Sequence, residues 1–78
     1  MKNTINDKVK DIMSIVLEIS KKNIGEDTSV SNVSAWDSLK HMNLIVALEE
    51  AFEIEFDEVQ LVEINNYKKI VEVISLLI

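Results

Sequence analysis

The fold is decided by residues 36–52, which read WDSLKHMNLIVALEEAF. Apolar residues in this stretch recur with helical spacing, which predicts an α-helix from about Ser38 to about Phe52. At about 100° per residue, the apolar positions fall on two sides of that helix. The side predicted to face the core carries Leu44, Ile45, Leu48, Ala51 and Phe52.

The opposite side of this helix carries a second apolar stripe with an acidic border. Its members are Leu39, Met42, Val46, Glu49, Glu50 and Glu53. A transient protein-binding face requires a partly exposed stripe of this kind. We therefore interpret these residues as a partner-binding face. The alternative is that the helix is buried nearly all round and that the stripe belongs to the core.

Ser38 stands at the start of this helix, directly after Asp37. A helix N-terminus presents unpaired N–H groups and a partial positive charge, so it favours a covalently attached phosphate. The sequence predicts that Ser38 is such an attachment point rather than a nucleophile. The alternative is purely structural, because aspartate and serine are also favoured helix caps.

Upstream of this helix, the sequence predicts one further helix and a long loop. The helix is expected from about Thr4 to about Ser20, and its apolar stripe consists of Ile5, Val9, Ile12, Val16 and Ile19, widened by Met13 and Ile15. Residues 23–36 form the loop, with predicted anchors at Ile24, Val30, Val33 and Trp36. A loop of this length in so small a domain is typical of a functional segment.

Downstream, residues 52–56 alternate like a strand but have no second strand to pair with, so we expect an extended connector. Asp57 and Gln60 have the spacing of a capping box and predict a short helix over 58–63. Its expected anchors are Leu61, Val62 and Ile64. Asn65 or Asn66 is expected to cap a last helix that reaches nearly to Ile78. The inward positions of that helix are Tyr67, Ile70, Val71, Ile74 and Leu77.

These elements predict an all-α protein, a four-helix bundle with a short third helix and a long first loop. Its 78 residues are expected to form a single domain over 1–78. The chain has no cysteine, which excludes disulfides and thiolate metal sites. No apolar run is long enough to span a membrane, and no signal-peptide pattern is present, so we expect a cytoplasmic protein. Nothing in the sequence demands more than a monomer, which we also expect.

The net charge of −6 is concentrated in one segment. Residues 37–63 hold eight acidic residues and one lysine, Lys40, for a net charge of −7. We interpret this segment as a docking surface for basic partners, although a solubilising face is an open alternative. This charge balance argues against nucleic acid as a partner.

Catalysis by this chain is not expected. His41 is the only histidine, and a lone histidine in a first helical turn is usually solvated. A serine nucleophile needs a base within hydrogen-bond reach and a third group that orients it. The sequence contains no Gly-rich phosphate loop and no metal-ligand spacing of histidine and aspartate. We therefore predict that the protein is not an enzyme and binds no metal of its own.

Taken together, these features resemble the acyl carrier protein family, which includes peptidyl and D-alanyl carriers. The resemblance covers about residues 5–77. It is carried by Asp37-Ser38-Leu39, by Ala47-Leu48-Glu49-Glu50-Ala51-Phe52, similar to the family's A-L-E-E-x-F stretch, and by the spacing onward to Ile64 and Ile74.

The resemblance implies that Ser38 is esterified by phosphopantetheine, transferred from coenzyme A by a phosphopantetheinyl transferase that uses magnesium. Asp37 would help that enzyme and its metal to engage the site. The thiol of the arm would carry acyl or aminoacyl groups as thioesters. Partners would be an acyl- or aminoacyl-loading ligase and acyl-transferring enzymes, whose basic patches would dock on the partner-binding face. The alternative is an unmodified, carrier-like bundle that acts as a protein-interaction module.

The chain departs from the family pattern near the serine. Members in fatty-acid synthesis often have glycine where Ala35 stands, and acidic residues where Lys40, His41 and Asn43 stand. A positive Lys40 would lower the negative potential beside the phosphate. The tryptophan directly before Asp37, Trp36, is more similar to the pattern of D-alanyl and specialised carriers. These departures favour a specialised member of the family.

Overall fold

The computed structural model describes the backbone of residues 2–78 and the side chains of residues 5–78. Residues 2–78 form four α-helices: α1 (Lys2–Leu17), α2 (Ser38–Phe52), α3 (Glu58–Glu63) and α4 (Tyr67–Leu77). A short 3₁₀ turn lies at Lys21–Asn23, and the described residues form no strand. The predicted all-α bundle, with a short third helix and a long first loop, is confirmed.

The core lies where α1 packs against α2 and α4. Its buried apolar residues are Val9, Met13, Leu17, Ile24, Trp36, Leu44, Ile45, Leu48, Phe56, Ile64, Tyr67, Ile70, Val73 and Ile74. The predicted inward side of α2 is confirmed, because Leu44, Ile45 and Leu48 are buried. This arrangement turns the opposite side of α2 to solvent and places the start of α2 at the surface.

The first helix ends three residues earlier than the sequence predicts. Glu18 takes a left-handed conformation with φ of 57°, and the N–H of Ile19 then donates to the carbonyl of Ser14 at 3.2 Å. Glycine usually occupies such a position because it bears no Cβ, so the sequence carries no stop signal here. Ile15 was predicted to be in the core and is 75% exposed, whereas Leu17 is fully buried.

The long loop is held against the start of α4. The carbonyl of Thr28 accepts from the N–H of Tyr67 at 2.9 Å, and the N–H of Val30 donates to the carbonyl of Asn65 at 3.0 Å. Thr28 is buried, and its hydroxyl accepts from the N–H of Gly25 at 2.8 Å. The predicted anchors Ile24 and Trp36 are buried, but the prediction for Val30 was wrong, because its side chain is exposed.

Side-chain caps begin the two short helices, as predicted. Asp57 and Gln60 form a complete capping box at the start of α3. Asn66 caps α4, and its side chain accepts from the N–H of Lys69 at 2.8 Å. Two apolar predictions here were wrong: Val62 is 76% exposed, and Leu77 is also exposed.

No helix in the described part of the chain is both long enough and apolar enough to cross a membrane.

Candidate functional site

Ser38 is the first residue of α2, and its side chain is exposed. Asp37 precedes it in an extended conformation and caps the helix, since its Oδ1 accepts from the N–H of Lys40 at 2.9 Å. The carbonyl of Asp37 accepts from the N–H of His41 at 2.8 Å. Within the described residues, the N–H groups of Ser38 and Leu39 and the Ser38 hydroxyl have no hydrogen-bond partner. The site therefore offers a free hydroxyl beside two free amide donors.

Asp37 is exposed beside this hydroxyl. One of its carboxylate oxygens serves the cap, and the other forms no hydrogen bond with any described residue. The cap holds the carboxylate in place next to Ser38 while leaving one oxygen open to solvent. Asp37 is thus able to engage a cation or a donor that approaches Ser38 from outside.

Beside Ser38, two side chains and one backbone carbonyl connect the loop, α2 and α3. Trp36 is 4% exposed, and its Nε1–H donates to His41 Nδ1 at 3.0 Å. His41 Nε2 lies 3.4 Å from the carbonyl oxygen of Leu61. The prediction that His41 is solvated was wrong, because it is half-buried in these contacts. Sequence spacing offered no signal for the contact with Leu61, which lies 20 residues away.

An open cleft of about 470 Å³ adjoins Ser38, between the start of α2 and α3. It is lined by Val30, Trp36, Asp37, Ser38, His41, Leu61, Val62 and Asn65. The exposure of Val62 has its reason here, because this side chain borders the cleft instead of packing in the core. A flexible group attached to Ser38 would have this cleft as its nearest surface.

Lys40 forms an ion pair with Glu18, the residue that directly follows α1. Its Nζ lies 2.7 Å from Glu18 Oε2. The hydrogen bond from Lys40, together with its positive charge, lowers the pKa of the Glu18 carboxyl. The expectation that Lys40 reduces the negative potential beside Ser38 is therefore weakened, because Glu18 balances its charge.

The second apolar side of α2 is exposed. Leu39 is 70% exposed, Met42 57% and Val46 50%, which excludes the alternative that this stripe is core. Glu50 and Glu53 border it and are exposed.

Glu49 differs from its two acidic neighbours. It is half-buried, and its Oε2 accepts from the N–H of Phe56 at 3.0 Å. Sequence reasoning grouped Glu49 with the docking residues and did not foresee this contact. On α3, Val59 and Val62 add exposed apolar surface that sequence reasoning also missed.

Among the side chains that the structure describes, no three histidine, aspartate or glutamate residues converge to hold a metal ion. The site itself offers a hydroxyl available for esterification, flanked by amide donors and one carboxylate.

Comparison with known proteins identifies relatives over nearly the whole chain. A family model described as a phosphopantetheine attachment site matches residues 7–74. An acyl carrier protein of Guillardia theta is 35% identical over 71 residues, which cover 91% of this chain and 88% of that relative. An acyl carrier protein of Cyanidium caldarium is 36% identical over 73 residues, which cover 94% of this chain and 85% of the relative. The fold is similar to the solution NMR structure of holo acyl carrier protein from Geobacter metallireducens, with a TM-score of 0.82, 30% identity and coverage of 92% of this chain and 83% of that chain.

Proposed function

The chain belongs to the acyl carrier protein family, and on that premise we propose that Ser38 is the residue to which its phosphopantetheine is attached. The observation that carries this proposal is the free hydroxyl of Ser38 at the exposed start of α2, within the matched residues 7–74. The chain is a carrier, and its own residues act by holding and presenting the attached group.

The residues around Ser38 fit this group. The Ser38 hydroxyl supplies the oxygen of the phosphodiester link and is accessible to another protein. The free amides of Ser38 and Leu39 and the positive end of α2 favour the negative phosphate, typically by about 0.3–1 kcal/mol at an exposed helix terminus. When bound, phosphopantetheine supplies a flexible arm whose terminal thiol carries acyl or aminoacyl cargo as a thioester. The cleft beside Ser38 is the nearest surface for that arm.

Asp37 has two roles in this proposal. Its capping hydrogen bond to Lys40 fixes the backbone of the first turn and so orients Ser38. Its second carboxylate oxygen, open to solvent, engages the phosphopantetheinyl transferase and that enzyme's magnesium ion. The cap and the partner contact thus use different oxygens of one side chain.

Partner enzymes dock on the exposed side of α2. Leu39, Met42 and Val46 form the apolar centre, and Glu50 and Glu53 form an acidic border for basic patches. The partners are the transferase, an acyl- or aminoacyl-loading ligase and acyl-transferring enzymes. Contact through so small a patch is expected to be weak and to exchange rapidly. In this proposal residues 1–78 act as one carrier domain in monomeric form.

Mass spectrometry after incubation with coenzyme A, magnesium and a broad-specificity transferase tests the attachment site. The expected result is a gain of one phosphopantetheine group, abolished by Ser38→Ala. Ser34→Ala is the matched control, since Ser34 is an exposed serine four residues upstream, and it should gain the group normally. No gain with several active transferases, or a gain that persists in Ser38→Ala, would refute the assignment. The first of these results would favour an unmodified interaction module.

A further inference from the structure

The cleft beside Ser38 is bordered by Trp36, His41 and Leu61. Among the described residues, α2 contributes nothing to the cleft wall beyond His41, and α4 contributes nothing at all. The core residues that lie below, such as Leu44 and Ile64, therefore do not line the space next to the attachment point.

The hydrogen bonds that close the cleft have a defined direction. An indole N–H is a donor only, so His41 Nδ1 must be the acceptor of the 3.0 Å contact with Trp36. In the neutral ring the proton then lies on Nε2, which faces the carbonyl oxygen of Leu61 at 3.4 Å. His41 is thus held by the loop on one side and by α3 on the other. We call these three residues the latch.

An apolar chain that entered the core from Ser38 would have to break this latch. The two helices would move apart where His41 meets Leu61, and the Trp36 indole, which is almost completely buried, would be displaced. The buried indole N–H would lose its acceptor, which is unfavourable. Farther into the core, Leu44, Leu48 and Ile64 are at most 1% exposed. No solvent-accessible cavity therefore adjoins these side chains that could receive an alkyl chain.

We propose that the latch of Trp36, His41 and Leu61 closes the way from Ser38 to the core, so that this carrier keeps its cargo in the outer cleft and is suited to short or polar acyl groups. This inference rests on the proposed attachment of the arm to Ser38. The cleft has mixed walls, polar at Asp37, Ser38 and Asn65 and apolar at Val30 and Val62, and it is open to solvent, so it cannot enclose a chain. A long alkyl cargo would remain largely exposed to water, whereas a short or polar group has little apolar surface to bury.

Loading the carrier with cargo of two lengths tests this inference. A broad-specificity transferase attaches the acyl-phosphopantetheine group of acetyl-CoA or octanoyl-CoA to the wild type, to His41→Val and to the control Asn43→Ala. His41→Val removes both hydrogen bonds of the latch, whereas Asn43 is exposed on α2 and outside the latch. Mass spectrometry confirms each loading. Melting temperatures and amide NMR shifts are then compared between the octanoyl and acetyl forms of the same variant, so any intrinsic destabilisation by the substitution cancels.

In the wild type and in Asn43→Ala, we expect the octanoyl and acetyl forms to melt within about 1 °C of each other, because no apolar chain becomes buried. Amide shift differences should be confined to residues around the cleft. In His41→Val, the octanoyl form should melt at least about 4 °C above the acetyl form, with shift changes at Leu44 and Leu48. Trp36→Phe, which keeps an aromatic ring but lacks the N–H donor, replaces His41→Val if that variant does not fold.

Two results would overturn the inference. One is an octanoyl group that stabilises the wild type as much as the latch variant or shifts its core amides. The other is a latch variant that gains no stability from the octanoyl group. In both cases a mass gain that Ser38→Ala abolishes shows that the group is still attached at Ser38. Absence of any mass gain refutes the attachment at Ser38 instead, and the inference falls with it.

Discussion

Glu49 is expected to stabilise the fold, whereas its neighbour Glu50 is expected to act in docking. The carboxylate of Glu49 accepts from the N–H of Phe56 at 3.0 Å, and its backbone carbonyl accepts from the N–H of Ile54 at 3.1 Å. The extended connector after α2 is therefore tied to the last turn of that helix. This tie keeps the ring of Phe56 in the core. Glu50 forms no such contact within the described residues and is exposed.

The size of the effect follows from the kind of hydrogen bond. Hydrogen bonds to charged groups contribute about 1.5–3 kcal/mol, and the half-buried position of Glu49 favours the lower end of that range. Glu49→Ala should therefore lower the free energy of unfolding by about 1.5 kcal/mol, or the melting temperature by about 6–12 °C for a domain of this size. Glu49→Gln keeps an oxygen acceptor and should recover about half of that loss.

Urea unfolding followed by circular dichroism measures the stability, and the rate of phosphopantetheine transfer measures docking. Glu50→Ala is the matched control, with the same chemical change one residue along the helix, and should alter stability by no more than about 0.5 kcal/mol. It should instead lower the transferase kcat/KM by about two- to fivefold at low salt, the amount that one exposed ion pair contributes.

Two outcomes would refute this reasoning separately. Equal urea midpoints for Glu49→Ala and Glu50→Ala would show that the contact with Phe56 does not hold the connector. An unchanged transfer rate for Glu50→Ala at low salt would show that the acidic border of α2 is not where the transferase docks. Since stability and transfer are measured on the same variants, neither result obscures the other.

Two further predictions concern buried and paired groups. The Tyr67 hydroxyl is buried without a hydrogen-bond partner among the described residues, so Tyr67→Phe should raise the free energy of unfolding by about 1 kcal/mol; a lower urea midpoint would contradict this. Burial raises the pKa of Tyr67, so wild-type stability should decline as the pH rises above the ordinary value of 10.0, and the phenylalanine variant should lack this part of the decline. The hydrogen bond from Lys40 lowers the pKa of Glu18, so the pair stabilises the fold above the ordinary value of 4.5 and loses its effect as the pH falls through the lower folded-state value. Glu18→Gln should therefore show a shallower acid decline in urea midpoints between about pH 7 and pH 3, and slopes equal to those of the wild type would count against the pairing.

Sequence reasoning succeeded where a local signal specifies the structure. The bounds of α2 and α3 are as predicted, because an Asp cap begins each helix and the capping box needs only residues three apart. The same reasoning failed at the end of α1. Glu18 ends that helix in a left-handed conformation that usually marks glycine, and no local signal distinguishes this glutamate from any other helical residue.

Helical periodicity also leaves the centre of an apolar stripe uncertain. Ile15 belongs to the predicted stripe of α1 and Leu17 does not, but Ile15 is exposed and Leu17 is buried. Val62 is apolar and was predicted to anchor α3 in the core, yet it is exposed and borders the cleft beside Ser38. Periodicity defines a face, and the neighbouring elements decide which part of that face they cover.

The sequence by itself determined the four helices, the position of Ser38 at the start of α2 and the exposed stripe beside it, because caps and helical spacing act over three or four residues. Tertiary structure decided which polar groups meet: His41 with Leu61, 20 residues apart, and Lys40 with Glu18, 22 residues apart. Such contacts depend on the angles and distances at which whole helices pack, and these follow from the shape of the shared core. The closure of the cleft beside the attachment point is accordingly a property of the packed bundle and of no single segment.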